Sequence, residues 1–277
     1  MALPLPSRDD LRALLEWQLA MGVDVALEEA PQDRFAADAA RAQRAAQPAP
    51  QAAPQAPQRA PAVVSPAALL ATPDESVSAA REAAASAATL DELRQILEGF
   101  EGCALKATAS RTVFADGAPG ARLMLVGEAP GREEDLSGLP FVGRSGQLLD
   151  RMLAAIGLDR GSVYIANVIP WRPPGNRTPT PQETETCLPF IRRQIELCDP
   201  EILVALGGAA AQSLFRARDG ILKLRGKWLD YDVAGRPAKA MATLHPAYLL
   251  RSPAQKKLAW RDLKAIRRAL EGAAPPG

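Results

Sequence analysis

His245 is the one histidine in a chain of 277 residues, in the stretch TLHPAYLLRSP. A lone imidazole cannot hold a metal without further ligands, nor drive a nucleophile without a serine or cysteine beside it. It needs no partner to donate a hydrogen bond to a developing negative charge. Glu128 lies in GEAPG, where two glycines and a proline surround a carboxylate. A glycine-rich turn can cradle phosphate with backbone N–H groups. No Lys-Ser/Thr follows, as a P-loop requires, and the spacing is not that of the dinucleotide fingerprint. Asn167 sits near the end of the apolar run SVYIANVI and leads into PWRPPGNRTP, which carries Arg172, Asn176 and Arg177.

These residues share a feature: each follows an apolar run. ARLMLVGE, SVYIANVI, EILVALGG and KAMATL read as buried strands, and KWLDYDV as an extra one. Between them lie helical patterns. TLDELRQILEGF is capped by Thr89 with Glu92, SGQLLDRMLAAIG ends at Gly157, and PQETETCLPFIRRQIELC begins with Pro181. AAAQSLF is shorter, and the last helix starts at Ser252-Pro253. Strand–helix alternation with apolar strands predicts an α/β fold, a three-layer α/β/α sandwich around a central, mostly parallel four-stranded sheet. Such sheets bind ligands at the carboxyl ends of their strands. That rule gathers GEAPGREED, Asn167, the glycines of EILVALGG and HPAYLLR at one edge.

The sandwich is expected over residues 88–272. Residues 1–30 read as an amphipathic helix, with Leu11, Leu14, Leu15 and Leu19 on one face, either a loose end or, the favoured reading, a docking peptide for a protein partner. Residues 31–87, with AAQPAPQAAPQAPQRAPA, read as a disordered linker. The charge is uneven. Residues 1–98 carry 8 Lys/Arg against 14 Asp/Glu, and residues 99–277 carry 25 against 18. A basic globular half suggests a polyanionic partner. Cys103, Cys187 and Cys198 are too few and odd in number for a disulfide framework, which fits a reducing, cytoplasmic setting. No apolar run of about 18 residues is present, so no membrane span is expected. The first residues lack the pattern of a secretory signal.

Taken together, LMLVGEAPGREEDLSGLPFVGRSGQLLDRMLAAIGL, VYIANVIPWRPPGNRTPTPQE, TLHPAYLLRSP and a following K-x-x-W-x-D-L resemble the family 4 uracil-DNA glycosylases, over roughly residues 98 to 265. The resemblance implies hydrolysis of the N-glycosidic bond of deoxyuridine in single- or double-stranded DNA, by a monomer, leaving an abasic site for base excision repair. Such an enzyme must draw the nucleotide out of the stack into a pocket. The family's matching phenylalanine, Phe141 here, stacks on uracil. Its matching asparagine, Asn167, reads the edge, accepting from N3–H and donating to O4. Cytosine presents the opposite pattern. Gly127 and Ala129 belong to the same pocket. His245 is expected to donate to uracil O2 as negative charge collects there.

Some glycosylases of the superfamily hold a water with an aspartate at the place of Ala129, and this family lacks it. Glu128 is the first candidate for that task and Asp135 the second; the alternative is a reaction that relies mainly on stabilising the departing uracil anion. Arg172, Asn176, Arg177, Leu250 and Arg251 are expected to face DNA, Leu250 and Arg251 on the loop that enters the duplex. Relatives that trap DNA covalently use a histidine in an insertion, and LSGLPFVG holds none.

The family binds a four-iron, four-sulfur cluster through four cysteines. Here Phe100 takes the first place, Cys103 the second, Trp171 the third and Cys187 the fourth. A cubane cluster needs four thiolates, so no cluster and no other metal is expected, with Phe100 and Trp171 packing where it would sit. Two other readings stay open: a non-catalytic protein of this fold that binds uracil-containing or abasic DNA, and an α/β protein acting on a small nucleotide.

Overall fold

The computed structural model describes residues 73–272; the leading amphipathic helix and most of the Ala/Pro/Gln-rich stretch lie outside the described residues. Six strands form one sheet: β1 (Ala115–Gly117), β2 (Leu123–Gly127), β3 (Tyr164–Asn167), β4 (Ile202–Leu206), β5 (Trp228–Val233) and β6 (Arg236–Thr243). Their spatial order is β1-β3-β2-β4-β6-β5. The four inner strands are parallel, while β1 pairs antiparallel with β3 and β5 antiparallel with β6. The expectation of four strands is therefore corrected to six. The four core strands are those expected, KWLDYDV is the β5 edge, and β1 was not foreseen. Its three residues, Ala-Asp-Gly, carry no apolar run to mark them.

Strands β2, β3 and β4 are buried along their whole length, and β6 from Ala240 to Thr243, because both faces of the sheet are covered. Side chains alternate across the sheet. Met124, Val126, Tyr164, Ala166, Leu203 and Ala205 enter one core, and Leu123, Leu125, Ile165, Ile202, Val204 and Leu206 the other.

Nine α-helices are described: α1 (Pro73–Ser86), α2 (Leu90–Gly99), α3 (Arg132–Ser137), α4 (Arg144–Ala154), α5 (Pro181–Cys198), α6 (Gly208–Phe215), α7 (Ile221–Leu224), α8 (Pro246–Arg251) and α9 (Lys256–Leu270). Leu93 and Leu97 of α2 and Phe190, Ile191 and Ile195 of α5 pack in the first core, and Leu149 and Leu153 of α4 with Ile266 of α9 in the second.

Helix α1 corrects the expected domain boundary. It falls within the stretch read as linker, so the globular part begins by Pro73 rather than at residue 88. Its sequence, PDESVSAAREAAAS, is good helix material, and Ala80 and Ala84 are buried in the first core. Thr89 caps α2 as expected, its Oγ1 accepting from Glu92 N at 3.2 Å. At α5 the Thr180 hydroxyl accepts from Glu183 N, and the Glu183 carboxylate accepts from Thr180 N, a reciprocal cap ahead of Pro181.

Candidate active site

The carboxyl ends of β2, β3, β4 and β6 open onto a cavity of about 500 Å³. Its walls come from the segments that follow those strands: Glu128 to Gly131, Asn167, Leu206 to Ala209, and His245 with Ala247, Tyr248 and Arg251. Glu134, Phe141 and Ser145 close one side, and the loop from Pro173 to Pro179 another. The parallel register explains why Gly127 and Asn167 meet, since they are direct partners across β2 and β3.

Gly127 must be a glycine here. A Cβ on it would lie 2.4 Å from Asn167 Oδ1 and 2.6 Å from Phe141 Cζ. Phe141 is 4% exposed and holds a left-handed backbone, φ 55°. Its ring centroid is 5.5 Å from that of His245, the planes tilted by 31°. Asn167 is 5% exposed, yet its side-chain amide has no hydrogen-bond partner among the described residues and no fully buried orphan atom. Buried amides are ordinarily satisfied. An unpartnered one on a cavity wall is a docking point for a planar polar ligand.

His245 stands at the N-terminus of α8, ahead of Pro246. Its Nδ1 accepts from Ala247 N at 3.1 Å. In the neutral ring the proton must then reside on Nε2, which is left as a donor. The ring stays neutral at physiological pH: burial first, and the Arg251 charge second, push it down to about 4, against a smaller opposing pull from Glu134. Glu128 has no side-chain partner among the described residues, and burial raises its carboxyl above the ordinary range.

Glu134 was not foreseen. Its Oε1 accepts from Val142 N at 3.0 Å and Gly143 N at 3.1 Å, and its Oε2 from Gly131 N at 3.1 Å. One buried carboxylate thus ties the GEAPG turn to the segment after Phe141. The available signal was its place three residues after Gly131, the N-cap of α3.

Asp135 does not line the cavity. Its Oδ1 accepts from Ser110 N at 2.7 Å and Arg111 N at 3.2 Å, and Oδ2 lies 3.9 Å from Arg172. Of the basic and polar residues assigned to DNA, Asn176, Arg177 and Arg251 reach the cavity. Arg172 lies behind them, its Nε donating to Asn176 Oδ1 at 2.7 Å. Arg177 is held by Glu183 of the α5 cap. Leu250 is 37% exposed beside Arg251.

Away from the cavity, Cys103 and Cys187 place their sulfurs 3.8 Å apart in the first core. Trp171 is 1% exposed, and its indole N–H donates to Thr112 Oγ1 at 3.1 Å. Phe100 packs edge-on against Phe190, centroids 5.0 Å apart.

A family profile described as the uracil DNA glycosylase superfamily matches residues 114–264. The chain is 41% identical over 182 residues to a type-4 uracil-DNA glycosylase of Archaeoglobus fulgidus, covering 64% of this chain and 92% of the relative. It is 38% identical over 178 residues to that of Pyrobaculum aerophilum, covering 63% and 91%. It is 41% identical over 169 residues to that of Thermotoga maritima, covering 59% and 86%.

Proposed function

The chain belongs to the uracil-DNA glycosylase superfamily, and on that footing we propose that it removes uracil from DNA in base excision repair. It hydrolyses the N-glycosidic bond and leaves an abasic site. The observation that carries this reading is the convergence on one cavity of a buried aromatic ring, an unpartnered amide and an imidazole with one free donor: Phe141, Asn167 and His245.

In the reaction, the extruded uracil stacks on Phe141. Asn167 accepts from N3–H and donates to O4, and a base with the reversed pattern leaves the buried amide unsatisfied. That mismatch discriminates by about 10⁴ or more in sites of this kind. The bond between C1′ and N1 breaks with its electron pair passing to uracil. Charge gathers on N1 and O2, and the Nε2–H of His245 donates to O2. Water oxygen adds to C1′, and Glu128 accepts the proton that water gives up. Burial that raises the Glu128 carboxyl brings it nearer the pH at which a general base is effective. Arg251, Arg177 and Asn176 sit where strand phosphates approach the cavity mouth; Arg172 and Leu250 extend that surface, and Asp135 holds its framework.

We further propose that the chain carries no iron–sulfur cluster. The residues present do not fit one: where four thiolates are needed there are two sulfurs, an indole already satisfied by Thr112 and a phenyl ring packed on Phe190. The remaining thiols serve as small core residues. The enzyme is taken to act as a monomer in the cytoplasm, with a protein partner for its first 30 residues. No helix among the described residues is long and apolar enough to cross a membrane.

The test is a single-uracil oligonucleotide incubated with the full chain and then treated with alkali. Strand scission at the uracil is the expected result. Tight binding without scission would instead establish a non-catalytic uracil- or abasic-DNA binding protein, and neither result would leave a small nucleotide as the ligand.

A further inference from the structure

Arg160 lies on the short turn Arg160–Ser162 that leads into β3, and it does not line the cavity. It nevertheless reaches the backbone of the stacking ring. Its Nη2 donates to the Phe141 carbonyl and its Nη1 to the Pro140 carbonyl at 3.1 Å. The same guanidinium is fixed by Asp116 of β1 at 2.6 Å and Asp150 of α4 at 2.7 Å.

Phe141 has the left-handed backbone that residues with a Cβ avoid. Such a conformation persists only where its surroundings over-determine it. Here the surroundings are a cation on the carbonyls of Pro140 and Phe141 and the Glu134 carboxylate on the N–H groups of Val142 and Gly143. The Phe141 carbonyl also packs against the first turn of α4, where a Cβ on Gly146 would lie 1.7 Å from its oxygen.

We propose that Arg160 is a positioning residue for uracil excision, which holds the Phe141 ring in its base-stacking pose before the base arrives. The inference rests on the reading that Phe141 stacks on the extruded base. Without the guanidinium, the segment relaxes toward ordinary backbone conformations and the ring leaves the pocket wall. The competent state becomes a minor one, and base capture weakens by the fraction lost. The planar fork matters, since it serves two carbonyls and two carboxylates at once.

The test is a double-mutant cycle with Arg160→Gln and Phe141→Ala, read by excision rate, inhibition by free uracil and melting temperature. In the Phe141 background, Arg160→Gln is expected to slow excision by about 10–100-fold, the scale of an ångström-sized misplacement, and to weaken uracil inhibition. In the Phe141→Ala background the same change is expected to cost less than about twofold in either readout, although the melting temperature falls in both. An equal loss in both backgrounds, or an unchanged rate in the first, overturns the proposal. If Arg160→Gln yields no folded protein, Arg160→Lys runs the same cycle with the positive charge kept and the fork removed. A wild-type chain that excises nothing overturns the functional reading, and this inference with it; an active wild type with additive losses overturns this inference alone.

Discussion

Gly127 sets the width of the pocket between the ring and the amide. A methyl group there would meet Asn167 Oδ1 and Phe141 Cζ well inside contact distance, so the ring or the amide must shift from its place on the cavity wall. Gly127→Ala is expected to fold but to lose about 10²-fold in excision rate, measured on the single-uracil oligonucleotide alongside a melting curve. A variant with the wild-type rate would show that the pocket is wider than described. The pH behaviour follows from two groups of opposite kind. His245, pushed down to about 4, refuses a proton that the unfolded chain accepts near 6.5. Between those values the unfolded state binds more protons, so this group makes stability fall as pH drops through the window. Because the chain has one histidine, its imidazole signal in a nuclear magnetic resonance titration is unambiguous, and it should show no inflection near 6.5. Glu128 is raised above 4.5 by burial. The acid limb of the excision rate should lie above that value and vanish in Glu128→Gln.

The elements hold these groups through contacts made behind the cavity. Thr243 ends β6 two residues before His245, and its hydroxyl donates at 2.6 Å to Asp262 of α9. Asp262 is 1% exposed and also pairs with Arg225 beyond α7. Removing one partner of a buried pair leaves the other charge uncompensated. Asp262→Ala is thus expected to cost about 3–5 kcal/mol in urea unfolding, and a loss under about 1 kcal/mol would contradict the packing described. Much at this scale is legible in the sequence. The four inner strands announce themselves as apolar runs, the cap at Thr89 by its spacing to Glu92, and the strand-end rule gathers Glu128, Asn167 and His245. What escapes has physical reasons. Helix α1 shares its Ala content with the stretch before it, which masks its helical sequence, and burial of Ala80 and Ala84 ties it to the domain. Glu134 and Arg160 bind backbone N–H and C=O groups, which carry no residue identity. Asp135 looks like its neighbour Glu134 in REED, yet α3 turns one toward the cavity and the other toward Ser110 and Arg111.

At the scale of the molecule, both faces of the sheet are filled, and the first core closes around Phe100, Cys103, Trp171 and Cys187. On the proposed reading, stability there comes from packed aromatic and aliphatic surface in place of metal ligation. Protein purified under anaerobic conditions is expected to be colourless, with iron far below stoichiometric, and to keep its excision rate after exposure to a chelator. A brown preparation with about four irons per chain would contradict this. Asn176, Arg177 and Arg251 line the same cavity as Phe141, Asn167 and His245, so in the proposed reaction strand binding, base capture and bond cleavage meet at one sheet edge. In the proposed reaction His245 acts there as a neutral donor to the departing base. The most direct test is the single-turnover excision rate of His245→Ser at saturating enzyme. The rate is expected to fall by about 10²–10³-fold with DNA binding and melting temperature little changed; an unchanged rate would rule out the donor role.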